Sequence, residues 1–176
     1  RFVLGNTTLA ITTVLCAFMA GLALGSYVGG RLADRSRHLL RTYGLLEGAV
    51  GVVCLLLPMV IDAMEPAYRW MYANLQDSPT TLSMARFLLC GLLLLIPSTF
   101  MGATLPVLTR WYSLSGRQVG RSVASLYAIN STGAAAGSLL CGFFLLPDLG
   151  VTWTLRLACG INILISNYII AKCNGS

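Results

Sequence analysis

The sequence predicts an all-α integral membrane protein, built as a bundle of five transmembrane helices. Hydrophobic residues make up 56% of its 176 residues, whereas only 10% are charged. An average soluble domain has about 25% charged residues, so a soluble fold of this length could not cover its surface with so few. Long apolar runs also alternate with short charged segments, as in proteins that cross the membrane repeatedly. We therefore expect one transmembrane domain that includes residues 1–176.

Five apolar runs are each long enough to cross the hydrocarbon core, which needs about 20 helical residues. Residues 2–30 carry no charge, and polar residues near their start place the first helix from about residue 7. The second run is interrupted by Arg41 and Glu47, and the last contains Arg156. The predicted spans are about 7–30, 39–61, 85–109, 122–147 and 150–171.

The charges between the runs predict how the chain is oriented. Segments 31–41 and 110–121 are rich in arginine, and Lys172 follows the last run, whereas loop 62–83 is mainly acidic and Asp148 lies in a tight turn. Basic segments stay in the cytoplasm, so we expect the N-terminus outside and the C-terminus inside. Because the chain has no signal-peptide pattern, an outside N-terminus predicts a missing upstream helix and a fragment of a longer protein.

The distribution of charged residues excludes several classes of function. The net charge of +6 does not indicate a nucleic-acid partner, because the basic residues stand singly or in short clusters between apolar runs. His38 is the only histidine, and the six acidic residues are dispersed. We therefore expect no catalytic set, no metal site and no cofactor in this chain.

Small residues recur at helical spacing in three of the predicted spans. Lipid provides no hydrophobic drive for helix association, so close packing depends on small side chains such as those of G-x-x-x-G steps. These stripes predict close contacts between helices, or alternatively faces along which helices slide. The glycines are Gly21, Gly25 and Gly29 in the first span, Gly44 and Gly48 in the second, and Gly133 and Gly137 in the fourth.

The third span contains two prolines, Pro97 and Pro106. Each proline removes a backbone donor and crowds the preceding turn, which predicts a kinked or locally broken helix. Ser98, Thr99 and Thr104 could bond the carbonyls that lose their donors. The break could be purely structural, or it could provide a ligand site of the kind found in transporters.

Three polar residues inside the spans are candidate functional residues. Glu47 lies about eight residues into the second span, and it is a candidate proton carrier or cation ligand, or else a structural acid. Arg156 either extends to the membrane interface or pairs with Glu47 across the bundle. Asn130 shares a helix face with Gly133 and Gly137, which favours an interhelical hydrogen bond.

Residues 30–35 resemble the loop between the second and third helices of major facilitator superfamily transporters. The family pattern is G-x-L-x-D-R-x-G-R-R/K, and Gly30, Asp34 and Arg35 match it, whereas its second glycine is missing. In that family the acidic and basic residues help to latch the cytoplasmic side. The resemblance implies that the chain supplies helices 2–6 of a six-helix half.

A wider set of motifs is similar to the membrane domain of membrane-bound spermidine synthase-like proteins. These motifs lie at residues 17–35, 43–47, 101–106 and 126–134. The resemblance implies a location in the bacterial inner membrane. Full-length members carry an aminopropyltransferase domain after their helices, but this chain has no counterpart of it, so we expect this chain not to be an enzyme.

Three functions follow as hypotheses. The first is a non-catalytic membrane module of a spermidine synthase-like protein, which acts as an anchor and as a packing partner for other helices. The second is an accessory subunit of a larger membrane complex. The third is half of a polyamine or small-cation transporter. The expected partners are the lipid bilayer and other transmembrane helices, from the missing upstream segment, a second copy or other subunits, and possible ligands include a polyamine.

Overall fold

A computed structural model describes residues 3–75, 79–114 and 119–175, and these residues form helices with short connections and no strand. The segment 115–118, inside the predicted inner loop, lies outside the described residues. The predicted all-α class is therefore confirmed for the described chain. Its helices are α1 (Val3–Arg35), α2 (Leu39–Ala63), α3 (Glu65–Leu75), α4 (Pro79–Leu114), α5 (Val119–Leu140) and α6 (Leu146–Asn174), with a π-helical segment, Cys141–Leu145, before α6.

Within the described part of the chain, four continuous helical stretches are long and apolar enough to cross a membrane: Ile11–Arg35, Leu39–Ala63, Thr80–Leu114 and Val123–Asn174. The last stretch has 52 residues, more than twice the length that one crossing needs. It is divided at Gly150, whose φ of 72° and ψ of 172° belong to a region that essentially only glycine occupies. The segments on either side of Gly150 correspond to the fourth and fifth predicted spans.

The turn around Gly150 is held by a buried side chain. The Thr154 hydroxyl donates a hydrogen bond to the Leu145 carbonyl at 3.0 Å, across the break. Thr154 is only 7% exposed. Pro147 has no N–H with which to continue the helical hydrogen bonding, and the π-helical segment ends two residues before it. The turn predicted near Asp148 therefore has a proline, a glycine and a threonine as its structural determinants.

Helix α3 is an element that the sequence analysis did not predict. Residues 62–83 were expected to form a loop, but Glu65–Leu75 form a helix of 11 residues, and the end of α2 and the start of α4 extend into the same segment. The Arg69 guanidinium contacts the Glu65 carboxylate one turn away at 2.6 Å, and Pro66 lies in the first turn, where its missing N–H has no cost. The short length and mixed polarity of this segment concealed its helical periodicity.

Helix α4 is central to the packing of the bundle. It contacts α1 on one side and α2 on another, and α2 also packs against α6. Buried residues of α1, α2 and α4 form a hydrophobic cluster near the α1–α2 connection, with Val107 fully buried within it. The members of this cluster are Ala33, Leu39, Leu46, Ala103 and Val107, with Tyr43, Phe100 and Trp111 packed against them.

The neighbours along these interfaces show the direction of each helix. Along α1 and α4 the neighbouring pairs advance together, from Gly21 beside Ser98 to Gly29 beside Ala103, so the two helices are parallel. Along α2 and α6 the pairs advance in opposite directions, because Gly44 lies beside Ile169 and Gly48 beside Ser166. Both results are expected for a chain whose successive spans run in alternating directions.

Candidate functional site

The glycines of α1 form the closest helix crossing in the described chain. A Cβ added at Gly25 would overlap the backbone carbonyl of Thr99, and one at Gly29 would lie 2.6 Å from the Cα of Ala103. Real Cβ atoms essentially never approach other heavy atoms to this degree. The structure therefore places this stripe in direct contact with α4, where the absence of side chains lets two backbones meet.

Helix α4 contributes small residues of its own to this crossing. A Cβ at Gly102 would overlap the backbone of Leu22, and Ser98, which faces Gly21, is only 2% exposed. Gly102 was not among the glycines singled out from the sequence. The sequence contains a small-residue step here, Ser98-x-x-x-Gly102, which lies between Pro97 and Pro106. The two prolines predicted a disrupted backbone at this position and not a packing face.

The glycines of α2 form a second crossing, with α6. A Cβ at Gly48 would lie 2.6 Å from the Ser166 Oγ, and one at Gly51 would lie 2.8 Å from the Ile163 Cγ1. A Cβ at Gly44 would lie 3.1 Å from its nearest atom, the Cγ2 of Ile169. Side-chain atoms are nearest at these three positions, so this crossing is less tight than the one between α1 and α4.

The glycines of α5 differ from expectation. A Cβ at Gly133 or Gly137 would meet no described atom within 4 Å. Residues 123–125 and 127–140 are exposed, including Tyr127 at 63% and Ile129 at 70%. The stripe formed by Gly133 and Gly137 therefore makes no contact within the described chain, because α5 meets α4 and the π-helical segment only over short stretches.

Asn130 lies on the same exposed face of α5. It is exposed, and the structure gives its side chain no hydrogen-bond partner among the described residues. The interhelical hydrogen bond expected for Asn130 is thus not made within this part of the chain. An amide in hydrocarbon without a partner is unfavourable, so this position favours contact with a further polar group.

The prolines of α4 do not break the helix. Pro97 and Pro106 both lie inside the continuous helix Pro79–Leu114. Hydroxyl groups bond the nearby carbonyls: Ser98 donates to Leu94 at 2.6 Å, and Thr99 donates to Leu95 at 2.7 Å. Thr104 donates to the Met101 carbonyl at 2.7 Å. The described α4 is therefore continuous, and the local break expected from the two prolines is wrong.

Glu47 lies on α2 between the face that contacts α4 and the face that contacts α6. Its side chain is half-buried, and Tyr43, also half-buried, lies one turn earlier on the same helix. Tyr43 itself packs against the hydrophobic cluster. The structure thus places Glu47 inside the bundle beside a tyrosine, which can hold either a protonated or an ionised carboxyl group.

Arg156 does not pair with Glu47. Its guanidinium lies over the ring of Trp153, 4.9 Å from the centroid, and the side chain is exposed. The reason is the register of α2 on α6, in which Gly48, the neighbour of Glu47, lies beside Ser166. Arg156 is ten residues from Ser166, which is about 15 Å along a helix, so the two charges lie at different depths.

The loop motif contributes one interhelical ion pair. Asp34 lies 3.8 Å from the Nε of Arg110, which links the end of α1 to the end of α4. Arg35 occupies the last turn of α1, where a cation interacts favourably with the helix dipole. Gly30 has open space around its Cα. Of the three motif residues, Asp34 alone is recorded in a tertiary ion pair within the described chain.

The described residues contain no group of three or more histidine, cysteine or acidic side chains that could hold a metal ion. Compared with protein-family models, curated proteins and solved structures, the chain gives no match. The resemblance to spermidine synthase-like membrane domains and to major facilitator transporters therefore stays a prediction. What the geometry provides is a helical bundle with two closely packed crossings and one helix whose small-residue face is open.

Proposed function

We propose that this protein is a non-catalytic membrane module of a spermidine synthase-like protein, which anchors it in the membrane and packs against another transmembrane helix. The observation that carries the proposal is the open face of α5. Among the described residues, no atom lies within 4 Å of a Cβ placed at Gly133 or Gly137, whereas the glycines of α1 and α2 lie in close contact with α4 and α6.

Asn130 extends this argument from packing to specificity. Asn130, Gly133 and Gly137 recur at positions i, i+3 and i+7, so they share one face of α5. Glycines let a second helix approach closely, and the amide then gains a hydrogen-bond partner across the interface, worth roughly 1 kcal/mol. A transmembrane helix is the occupant that satisfies both features, because it offers a matching length and a complementary surface.

The transporter hypothesis has less support from the site. Glu47 is the only acidic residue inside the described spans away from their ends, and no second acidic side chain accompanies it there. A polyamine carries several positive charges and would need several acidic partners. The accessory-subunit hypothesis shares the open face of α5 with our proposal, and the same experiment separates the two.

The test is purification of the native protein in mild detergent, with measurement of its intact mass and of the proteins that accompany it. We expect either a chain with a mass above 18.8 kDa, which carries further segments, or a complex with other transmembrane helices. A stoichiometric complex with unrelated subunits would favour the accessory-subunit hypothesis. If the protein is a monodisperse monomer of this chain alone, and no other protein dissociates from it during purification, the packing role is contradicted.

Gly137→Leu tests whether α5 is the face involved. Leucine would block close approach of a second helix, so the variant should lose the accompanying helix. Ala128→Leu is the matched control, because Ala128 lies on the opposite side of α5 and is equally exposed. If both variants retain the association equally well, the interface lies elsewhere.

A further inference from the structure

A cavity of about 460 Å³ lies where the α1–α2 connection meets the ends of α4 and α6. Ten residues line it, and none of them is acidic. Four of the ten carry basic side chains, from two separate parts of the chain. These are Arg37, His38 and Arg41 on one wall and Lys172 on another.

The two arginines of this cavity have no acidic counter-charge among the described residues. Asp34 is the nearest acidic residue in sequence, and it contacts Arg110, which does not line the cavity. Arg37 and Arg41 form no ion pair among the described residues. Two arginines at one cavity, without an acidic partner among the described residues, create a positive potential that attracts an anion.

The start of α2 lies at the same cavity. Leu39, Leu40 and Arg41 form its first turn and line the cavity. His38 makes no side-chain capping hydrogen bond, and the first turn contains no acidic residue. The N–H groups and the positive end of the helix dipole therefore act together with the arginines, an arrangement that suits phosphate.

The apolar part of the lining indicates where the phosphate comes from. Leu40 and Leu114 line the cavity beside the basic groups, and Leu114 is 67% exposed. The cavity lies at the ends of membrane-crossing helices, which is the level of lipid phosphates. A site with cations at one side and exposed leucines at the other fits a headgroup that remains attached to its acyl chains better than a free anion.

We propose that this cavity binds the phosphate group of an anionic phospholipid, with Arg37 and Arg41 as its main ligands. The opposite end of the bundle provides a contrast. A cavity of about 350 Å³ there is lined by Asp62, Glu65 and mainly apolar residues, and no basic residue is among them. The inference concerns lipid binding and does not depend on which helix occupies the face of α5.

The experiment is a lipid titration of the whole purified chain in neutral detergent, followed by native mass spectrometry. Phosphatidylglycerol is compared with phosphatidylcholine of identical acyl chains, and inorganic phosphate is titrated separately. We expect phosphatidylglycerol to bind at least about tenfold more tightly than phosphatidylcholine. Equal binding of the two lipids would refute the site, and equal binding of inorganic phosphate would refute the lipid as its source.

Two double variants test the residues. Arg37→Gln with Arg41→Gln should weaken phosphatidylglycerol binding about 30-fold, because the phosphate loses two direct charge-assisted contacts. Arg31→Gln with Arg35→Gln removes the same charge from the same end of the bundle but lies outside the cavity lining, so binding should change less than about threefold. If both double variants weaken binding equally, general electrostatic attraction to the basic surface explains the binding, and the proposed site is refuted.

Folding of the variants is checked by thermal unfolding in detergent. Arg37 and Arg41 are exposed, so we expect both double variants to unfold near the wild-type temperature. If the first double variant unfolds early, Lys172→Gln takes its place, because Lys172 lines the opposite wall on α6. It should weaken phosphatidylglycerol binding about fivefold, and unchanged binding would contradict the proposal.

Discussion

The glycine stripe of α1 and that of α5 have the same four-residue spacing but different neighbours. On α1, Gly25 lies against the backbone of Thr99, and a side chain there would overlap it. On α5, Gly137 faces open space. The G-x-x-x-G pattern thus identifies a helix surface that another helix can approach closely. The pattern does not show whether the same chain supplies that second helix.

The two stripes also differ in what surrounds the glycines. Small residues of α4, namely Ser98 and Gly102, meet the stripe of α1, so both helices contribute to the close approach. The stripe of α5 is accompanied by Asn130, a polar group without a partner in the described chain. This difference separates an internal contact that stabilises the bundle from an external surface that is available to another molecule.

The largest expected effect comes from placing leucine in each stripe. Gly25→Leu should lower the free energy of unfolding by about 3 kcal/mol or more, because backbone atoms of Thr99 cannot move aside as a side chain would. Gly137→Leu should leave the stability of the isolated chain within about 0.5 kcal/mol of the wild type. Denaturant unfolding in mixed micelles measures both, and equal losses would remove the distinction between the two stripes.

Gly150 tests a third kind of glycine, which is needed for its backbone conformation. It has no neighbour within 4 Å, but its φ is 72°. Gly150→Ala should therefore cost about 1–3 kcal/mol through backbone strain alone. Gly160→Ala is the control, because Gly160 is helical and also has open space around it. It should be neutral or stabilising by up to about 1 kcal/mol, and a loss equal to that at Gly150 would contradict this explanation.

The crossing of α2 and α6 should respond more mildly than that of α1 and α4. A Cβ at Gly48 would lie 2.6 Å from the Ser166 Oγ, which is a side-chain atom. We expect Gly48→Ala to cost about 1 kcal/mol and the added Ser166→Ala to recover at least about half of that loss. A double-mutant cycle on thermal or denaturant unfolding measures the coupling, and strict additivity would show that the two residues do not meet.

Much of the fold could be predicted from local sequence features. The apolar runs correspond to helices, and the turn near Asp148 coincides with the backbone break at Gly150. Helix α3 was missed, because its 11 residues are too few and too polar for a membrane span, and the search for apolar runs therefore passed over its amphipathic pattern. The local break expected in α4 was wrong, because a long helix can accommodate prolines while Ser98 and Thr99 bond neighbouring carbonyls.

The candidate site was less predictable because it depends on register. Glu47 and Arg156 are each an isolated charge within an apolar run, which suggested a pair. Their depths follow from how α2 packs on α6, with Gly48 beside Ser166. The basic cavity was likewise hidden, because Lys172 is far along the chain from Arg37 and Arg41, and only the meeting of helix ends brings them together.

The sequence by itself determined that this protein has helices long and apolar enough to cross a membrane, where those helices run, and which of their faces carry small residues. These properties follow from composition, apolar length and residue size, all of which are local. Only the tertiary structure decided that α1 and α2 bury their glycine faces while α5 leaves its face open. It also decided that basic groups converge at one end of the bundle. Both results depend on the order and register in which helices pack, which many residues determine together.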